Sequence, residues 1–178
     1  MPSCDLLDRG SLSLELMRII EAAPVPGIDR EPLSSATQAA VTTWSQGTPA
    51  KSLRLAALWL LAGDLEQSHA ISQSYETSDG AYWHGIMHRR EGDFWNSKYW
   101  FRRVGQHPVL VALAQTTQDR EAQLVAAELG SKLVNSGSSF ADALVDACEA
   151  ALNDKPEWRS DLETICWWEW QLLFQYSK

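Results

Sequence analysis

The residues best equipped for chemistry fall between Asp79 and Pro108, DGAYWHGIMHRREGDFWNSKYWFRRVGQHP. This stretch holds three of the chain's four histidines, three of its nine tryptophans and five of its fifteen Lys and Arg residues. His84 and His88 stand at i,i+4, and Glu91 follows three residues later. On a helix these three side chains share one face. Glu66 and His69, at i,i+3, lie just upstream. Two neighbouring helices carrying Glu-x-x-His and His-x-x-x-His-x-x-Glu offer four or five metal ligands if their faces converge. Imidazole with carboxylate suits zinc, iron or manganese. The pattern is not that of the zinc proteases, because Gly85 stands where HExxH places its general base. The competing expectation is that the histidines are structural, bonded to backbone or carboxylate, and that Glu91 pairs with Arg89, Arg90 or Arg102.

The same stretch suggests an anion pocket. Lys98 and Arg102 share a helical face, Arg103 adjoins, and Arg89 and Arg90 come from the preceding helix. Guanidinium groups fork onto carboxylate or phosphate. Trp83, Trp95 and Trp100 could stack a flat ligand, and Gln73, at i,i+4 from His69, could face His84 across a groove. Tyr99 or Tyr82 could act as a general acid beside a histidine base, so His69, His84, His88 and Tyr99 are the catalytic candidates. The ligand-binding candidates are Gln73, Trp83, Arg89, Arg90, Lys98, Arg102 and Arg103; the metal candidates are His69, His84, His88, Glu66 and Glu91. The alternative for the arginines is internal ion pairing with Asp64, Glu91 or Asp93, and for the tryptophans ordinary core packing. Phosphate-loop, dinucleotide and GxSxG motifs are absent, which disfavours the chemistries they serve.

Charge sharpens the picture. The chain carries a net charge of −8, whereas residues 84 to 107 hold five basic against two acidic residues. A basic island in an acidic chain argues for a locally held anion and against a general nucleic-acid binder. Cys4, Cys148 and Cys166 are odd in number and widely spaced. They predict no disulfide framework, a reducing compartment, and for Cys148 and Cys166 a role as inert packing residues in apolar helices. No apolar run reaches the length of a membrane span, and the N-terminus lacks the pattern of a secretory signal. These features predict a cytoplasmic protein with no membrane or nucleic-acid partner.

The elements that must position these residues all read as helices. Apolar periodicity and breakers predict segments at 11–23, 32–46, 51–62, 65–75, 81–91, 94–105, 108–116, 119–134, 138–152 and 157–176. Lys51–Ala62 is apolar most of the way round and should be central to the core. Asp119 is expected to cap the eighth segment, with Leu124, Val125, Ala127 and Leu129 facing inward. Trp167, Trp168 and Trp170 cannot share one face, so one is expected to face a partner or a pocket, and an exposed aromatic patch on this helix would allow a homodimer. No stretch alternates with period two between hairpin turns. The expectation is therefore all-α: a single compact domain over 1–178, of about ten short antiparallel helices. Repeat-like hairpins at 51–108 carry the site.

Two Gly-Asp turns, in ALWLLAGDLEQSHAISQSY and YWHGIMHRREGDFWNSKYWF, divide similar helix pairs. The second copy resembles a tetratricopeptide repeat, through Gly92-Asp93-Phe94 at the turn, Ser97, Phe101 and Pro108. The glycines are 29 residues apart, against about 34 in that repeat. More widely, WLLAGDLEQSHAISQS, YWHGIMHRREGDFWNSKYWFRRVGQHPV and the C-terminal WEWQLLFQY resemble a widespread bacterial family with no assigned reaction. Trp95 is bulkier than that pattern's turn. The resemblance implies one compact helical domain with its distinctive residues in these hairpins, and it lends no catalytic residue. The functional expectation is a helical protein whose His/Arg/Trp-rich pocket binds a small anionic molecule or peptide. The alternative is a small enzyme, metal-dependent or not, using His69, His84 and His88.

Overall fold

The computed structural model describes residues 3–30, 32–47 and 52–177. It contains ten α-helices and, among the described residues, no strand: α1 Leu14–Ala22, α2 Ser35–Ser45, α3 Leu53–Ala62, α4 Leu65–Ser72, α5 Ser78–Glu91, α6 Phe94–Val104, α7 Pro108–Asp119, α8 Ala127–Asn135, α9 Phe140–Asn153 and α10 Arg159–Tyr176. Consecutive helices pack against one another from α1 through α6. The chain then folds back: α6 meets α9, while α7 meets α8 and α10.

Burial explains the arrangement. In α3 every residue except Arg54 is buried, as its all-round apolar sequence predicts. α10 divides two cores. Trp167, Trp170, Leu173 and Phe174 face the core of α1, α3 and α5, whereas Leu162, Ile165 and Trp168 face that of α7 to α9. The exposed patch expected on the last helix is therefore not there. Trp167, Trp168 and Trp170 are each 3% exposed, because a helix between two cores buries several faces at once. The indole nitrogens of Trp167 and Trp170 donate to the carbonyls of Ser3 (3.0 Å) and Ala57 (3.1 Å). The reason given for a homodimer goes with the patch.

Other expectations shift at the edges. Ser13, not Ser11, caps α1 by accepting from the Leu16 amide (3.2 Å). Ser78-Asp79-Gly80 does not break the chain. Thr77 caps α5 there and accepts from the Gly80 amide, so the segment forms the helix's first turn. Asp119 ends α7 rather than starting the next helix. A single 3₁₀ turn at Glu121–Gln123 follows, and α8 begins only at Ala127. What replaces the expected cap is Asp161, a distant residue whose carboxylate accepts from the Val125 and Ala126 amides (2.9 and 2.7 Å). Leu124 and Leu129 are buried as expected, but Val125 is 85% exposed. The start expected at Pro32 moves to Ser35, where Ser34 caps α2 by accepting from the Thr37 amide, and the start expected at Lys51 lies outside the described residues.

The α3–α4 and α5–α6 hairpins turn by the same device. Gly63 and Gly92 end their helices in the left-handed region (φ 82° and 87°), which side chains other than glycine's disfavour. Asp64 and Asp93 then cap the next helices, accepting from the Gln67 and Asn96 amides (both 3.1 Å). Two residues thus finish one helix and start another, which forces the pair to double back.

The α5–α6 pair is packed unusually tightly. Ser97 is fully buried and its hydroxyl donates to the Gly85 carbonyl (2.8 Å). A Cβ added at Gly85 would lie 3.1 Å from the Phe101 ring. Gly85→Ala gains about 1 kcal/mol of helix propensity but overpacks the buried Phe101 ring at about 1–3 kcal/mol, so a net loss of about 1 kcal/mol is expected. Urea unfolding measures this, and a loss below about 0.5 kcal/mol would show that the helices can separate freely.

Candidate metal centre

α4 and α5 bring three histidines together. His69, near the C-terminal end of α4, is partly exposed, whereas His84 and His88 on α5 are buried. One potential ligand atom from each lies within 4.8 Å of the others. The His69 ring meets His84 and His88 edge-on, with centroids 4.6 and 5.4 Å away, while His84 and His88 are near-parallel at 4.8 Å. The i,i+4 spacing on α5 produces that parallel pair. The Gly63-Asp64 turn and the packing of α4 on α5 supply the third ring.

The surroundings orient these rings. The Trp100 ring stacks on His84 at 3.9 Å, closing one side. Glu91 Oε2 lies 3.1 Å from His88 Nδ1, so that nitrogen carries the proton and donates. Nε2 then keeps its lone pair, which is how a second carboxylate usually prepares a ligating histidine. The Asn96 amide nitrogen is 3.1 Å from His88 Nε2 and 3.4 Å from Nδ1. Two such similar distances place it across the ring face, not along either lone pair. Among the described residues, the buried His84 Nδ1 has no hydrogen-bond partner. Burial favours the neutral form of the two α5 histidines: desolvation, reinforced by His88 and His69, lowers His84 to about 3. Burial also lowers His88, against the pull of Glu91. A neutral imidazole is the form that binds metal.

Three converging nitrogens can hold one transition-metal ion and leave coordination positions open. Around a tetrahedral ion the donors would stand about 3.4 Å apart, so from separations of up to 4.8 Å these need to draw in by up to about 1.4 Å. Rotation of the partly exposed His69 can supply much of that.

The other expected ligands fall elsewhere. Glu66 is exposed in the first turn of α4, outside the three-histidine group. Glu91 supports His88 and pairs with Arg30 (3.1 Å), not with Arg89, Arg90 or Arg102.

Nor do the seven ligand-binding candidates line one pocket. Trp83 is fully buried and its indole nitrogen donates to Ser177 Oγ (3.0 Å). Arg89 is buried in a two-pronged pair with Glu169 of α10. Arg90 is buried and donates to the Leu60 carbonyl (2.5 Å). Lys98 pairs with Asp146 of α9. Gln73, Arg102 and Arg103 are exposed. Charge count alone could not tell a pocket from a set of ties between helices; the partners Glu169 and Asp146 lie far away in sequence. Arg103 does line a surface cleft of about 220 Å³ with Tyr75, Glu76, Thr77, Ser78, Ala81 and Trp100, so the cleft carries one acidic and one basic side chain. Its guanidinium lies 5.3 Å from the Trp100 ring. Tyr99 is 39% exposed and meets Trp100 edge-on.

Sequence reasoning missed Asn96 and Glu169, for which it held no signal. His107, the third histidine of the motif, is structural. Its Nδ1 accepts from the Val109 amide (3.2 Å) at the start of α7, and its Nε2 donates to Asp79 (3.0 Å). Among the described residues no helix is long and apolar enough to cross a membrane. No family model, curated protein or solved structure matches the chain.

Proposed function

We propose that this is a metal-dependent protein in which His69, His84 and His88 hold a single zinc, iron or manganese ion, and that a small anionic molecule is bound and polarised at its open positions. The convergence of the three imidazoles within 4.8 Å carries this reading. It favours the enzyme alternative over a scaffold built only for binding, because three converging imidazoles, two of them buried, are poor contacts for a peptide but good metal donors.

The cleft beside Trp100 is the natural seat for the rest of the ligand. Trp100 is shared between the cleft and the His84 ring, and Ser78, Ala81 and His84 follow one another at three-residue steps along α5. Arg103 supplies a positive charge at the rim for a carboxylate or phosphate, set against the single negative charge of Glu76. An open metal position could polarise a carbonyl or phosphoryl oxygen, or lower the pKa of water.

The test is metal content by mass spectrometry on untagged protein purified without chelator. About one equivalent of metal is expected in the wild type, with loss in His84→Ala and weakened retention in His69→Ala. No metal in the wild type after incubation with zinc, iron(II) and manganese(II) would overturn the reading.

A further inference from the structure

A second group of reactive side chains lies away from the histidines, between α9 and α10. Cys148 and Cys166 are eighteen residues apart in sequence, yet their sulfurs stand 4.0 Å apart. Cys148 is fully buried, whereas Cys166 is partly exposed. Cys166 also borders a cavity of about 20 Å³, shared with Pro26, Ile28, Leu60, Arg89 and Trp170. That is room for a molecule little larger than water. The lining is apolar except for the sulfur and the arginines. Arg89 is 1% exposed, and among the described residues its Nε has no hydrogen-bond partner. A buried cationic side chain with an unpaired N–H thus borders the same small cavity as Cys166, with a second thiol behind it.

The two thiols differ in acidity. Contact with Cys148 lowers the Cys166 thiol, and Arg89 adds to the effect, against burial and the Glu169 carboxylate. The same contact and burial raise Cys148 well above the usual thiol range. Cys166, which borders the cavity and is the more exposed of the two, is the sulfur a small molecule meets first, and Cys148 lies behind it.

We infer that Cys166 is a peroxide-reactive thiol and Cys148 its resolving partner, so that a small hydroperoxide entering this cavity is reduced and the two cysteines are left joined as a disulfide. The Cys166 thiolate attacks the terminal peroxide oxygen. A sulfur–oxygen bond forms, the oxygen–oxygen bond breaks, and the departing alkoxide or hydroxide, steadied by the Arg89 guanidinium, takes up the proton lost from Cys166. Sulfur is oxidised by two electrons to the sulfenic acid and the peroxide is reduced by two. The Cys148 sulfur then attacks the sulfenic sulfur, the sulfur–sulfur bond replaces the sulfur–oxygen bond, and hydroxide leaves with the Cys148 proton as water. The sum is two thiols and one hydroperoxide giving one disulfide, one alcohol or water, and one water. A shift of about 2 Å brings the sulfurs from their present separation to bonding distance. The inference does not involve the histidine centre.

The third cysteine is a built-in control. Cys4 is also partly exposed, but burial and Glu21 raise its thiol. The experiment treats the full chain, in excess chelator so that no metal chemistry contributes, with one to two equivalents of hydrogen peroxide. Free thiols are then alkylated and the peptides mapped by mass. The expected product is 2 Da lighter, with Cys148 linked to Cys166 and Cys4 still alkylated. Cys148→Ser should instead accumulate a sulfenic acid on Cys166 that dimedone traps, and Cys166→Ser should lose the fast peroxide consumption at least tenfold. Oxidation of Cys4 before Cys166, or a Cys166 that stays reduced in the folded wild type, would overturn the inference. Because both readouts come from the wild-type protein, they stand even if a serine variant folds poorly.

Discussion

Glu169→Ala is expected to destabilise the protein by about 3–5 kcal/mol, among the largest effects of any single substitution in the chain. Arg89 and Glu169 are each 1% exposed, and the pair joins α5 to α10 by two contacts of the guanidinium. Deleting the carboxylate leaves a guanidinium that burial cannot neutralise, since arginine does not give up its proton. The cost is that of an uncompensated buried charge, not of one lost hydrogen bond. Glu169→Gln keeps the shape and an acceptor, so it should fall between wild type and alanine. The double variant Arg89→Met with Glu169→Leu removes both charges and should recover most of the loss, because an apolar pair of similar volume is often as stable as a buried ion pair. Urea unfolding of the wild type and these three variants measures the losses. If Glu169→Ala lost less than about 1 kcal/mol, the pair would not be closed as described.

The second large effect is stabilisation by metal, and it should depend on pH in a defined direction. With zinc in thousandfold excess over its dissociation constant, stability should rise by about 4.1 kcal/mol, and chelator should remove the gain. His84→Ala should show no comparable gain. The metal-free protein should itself weaken in acid. His84 is lowered from 6.5 to about 3 in the folded chain. Between those values the unfolded chain takes up a proton that the native state refuses, so stability falls as pH falls, by up to about 1.4 kcal/mol per pH unit from this group. Above pH 6.5 its contribution is fully present; below about 3 it is lost. His88 is lowered as well and adds in the same direction. Zinc's own increment should shrink across the same window, because protons compete with the metal for the imidazoles. Chemical denaturation at several pH values, with zinc and with chelator, reads both slopes. A wild-type slope equal to that of His84→Ala would show that the ring is not held neutral by its surroundings.

Much of the site was legible before the fold. His84 and His88 sit at i,i+4, and a helix of that composition leaves the two rings little choice but to lie side by side. The Gly-Asp turns were equally readable, because a left-handed glycine followed by a capping aspartate is a local instruction that needs no distant partner. With α4 and α5 adjacent, His69 was a natural third member. The polar ties were not legible in the same way. Arg89 and Arg90 face inward, Arg102 and Arg103 outward, yet all four belong to one basic stretch. The difference lies in Glu169 and the Leu60 carbonyl, which await the first pair in the core.

The sequence by itself determined the helical class, the hairpins and the pairing of His84 with His88, since each rests on periodicity or capping within a few residues. Only the tertiary structure decided what those residues meet: Trp100 over His84, Asn96 across His88, Glu169 against Arg89, and Cys148 behind Cys166. It also decided that three tryptophans of α10 are core and not surface. The physical reason is range. Backbone propensity and capping act within a turn or two of helix. Burial and ion pairing depend on which helices the chain brings back together, and α10 returns against α3, α7 and α9 only after the rest of the fold has been traversed.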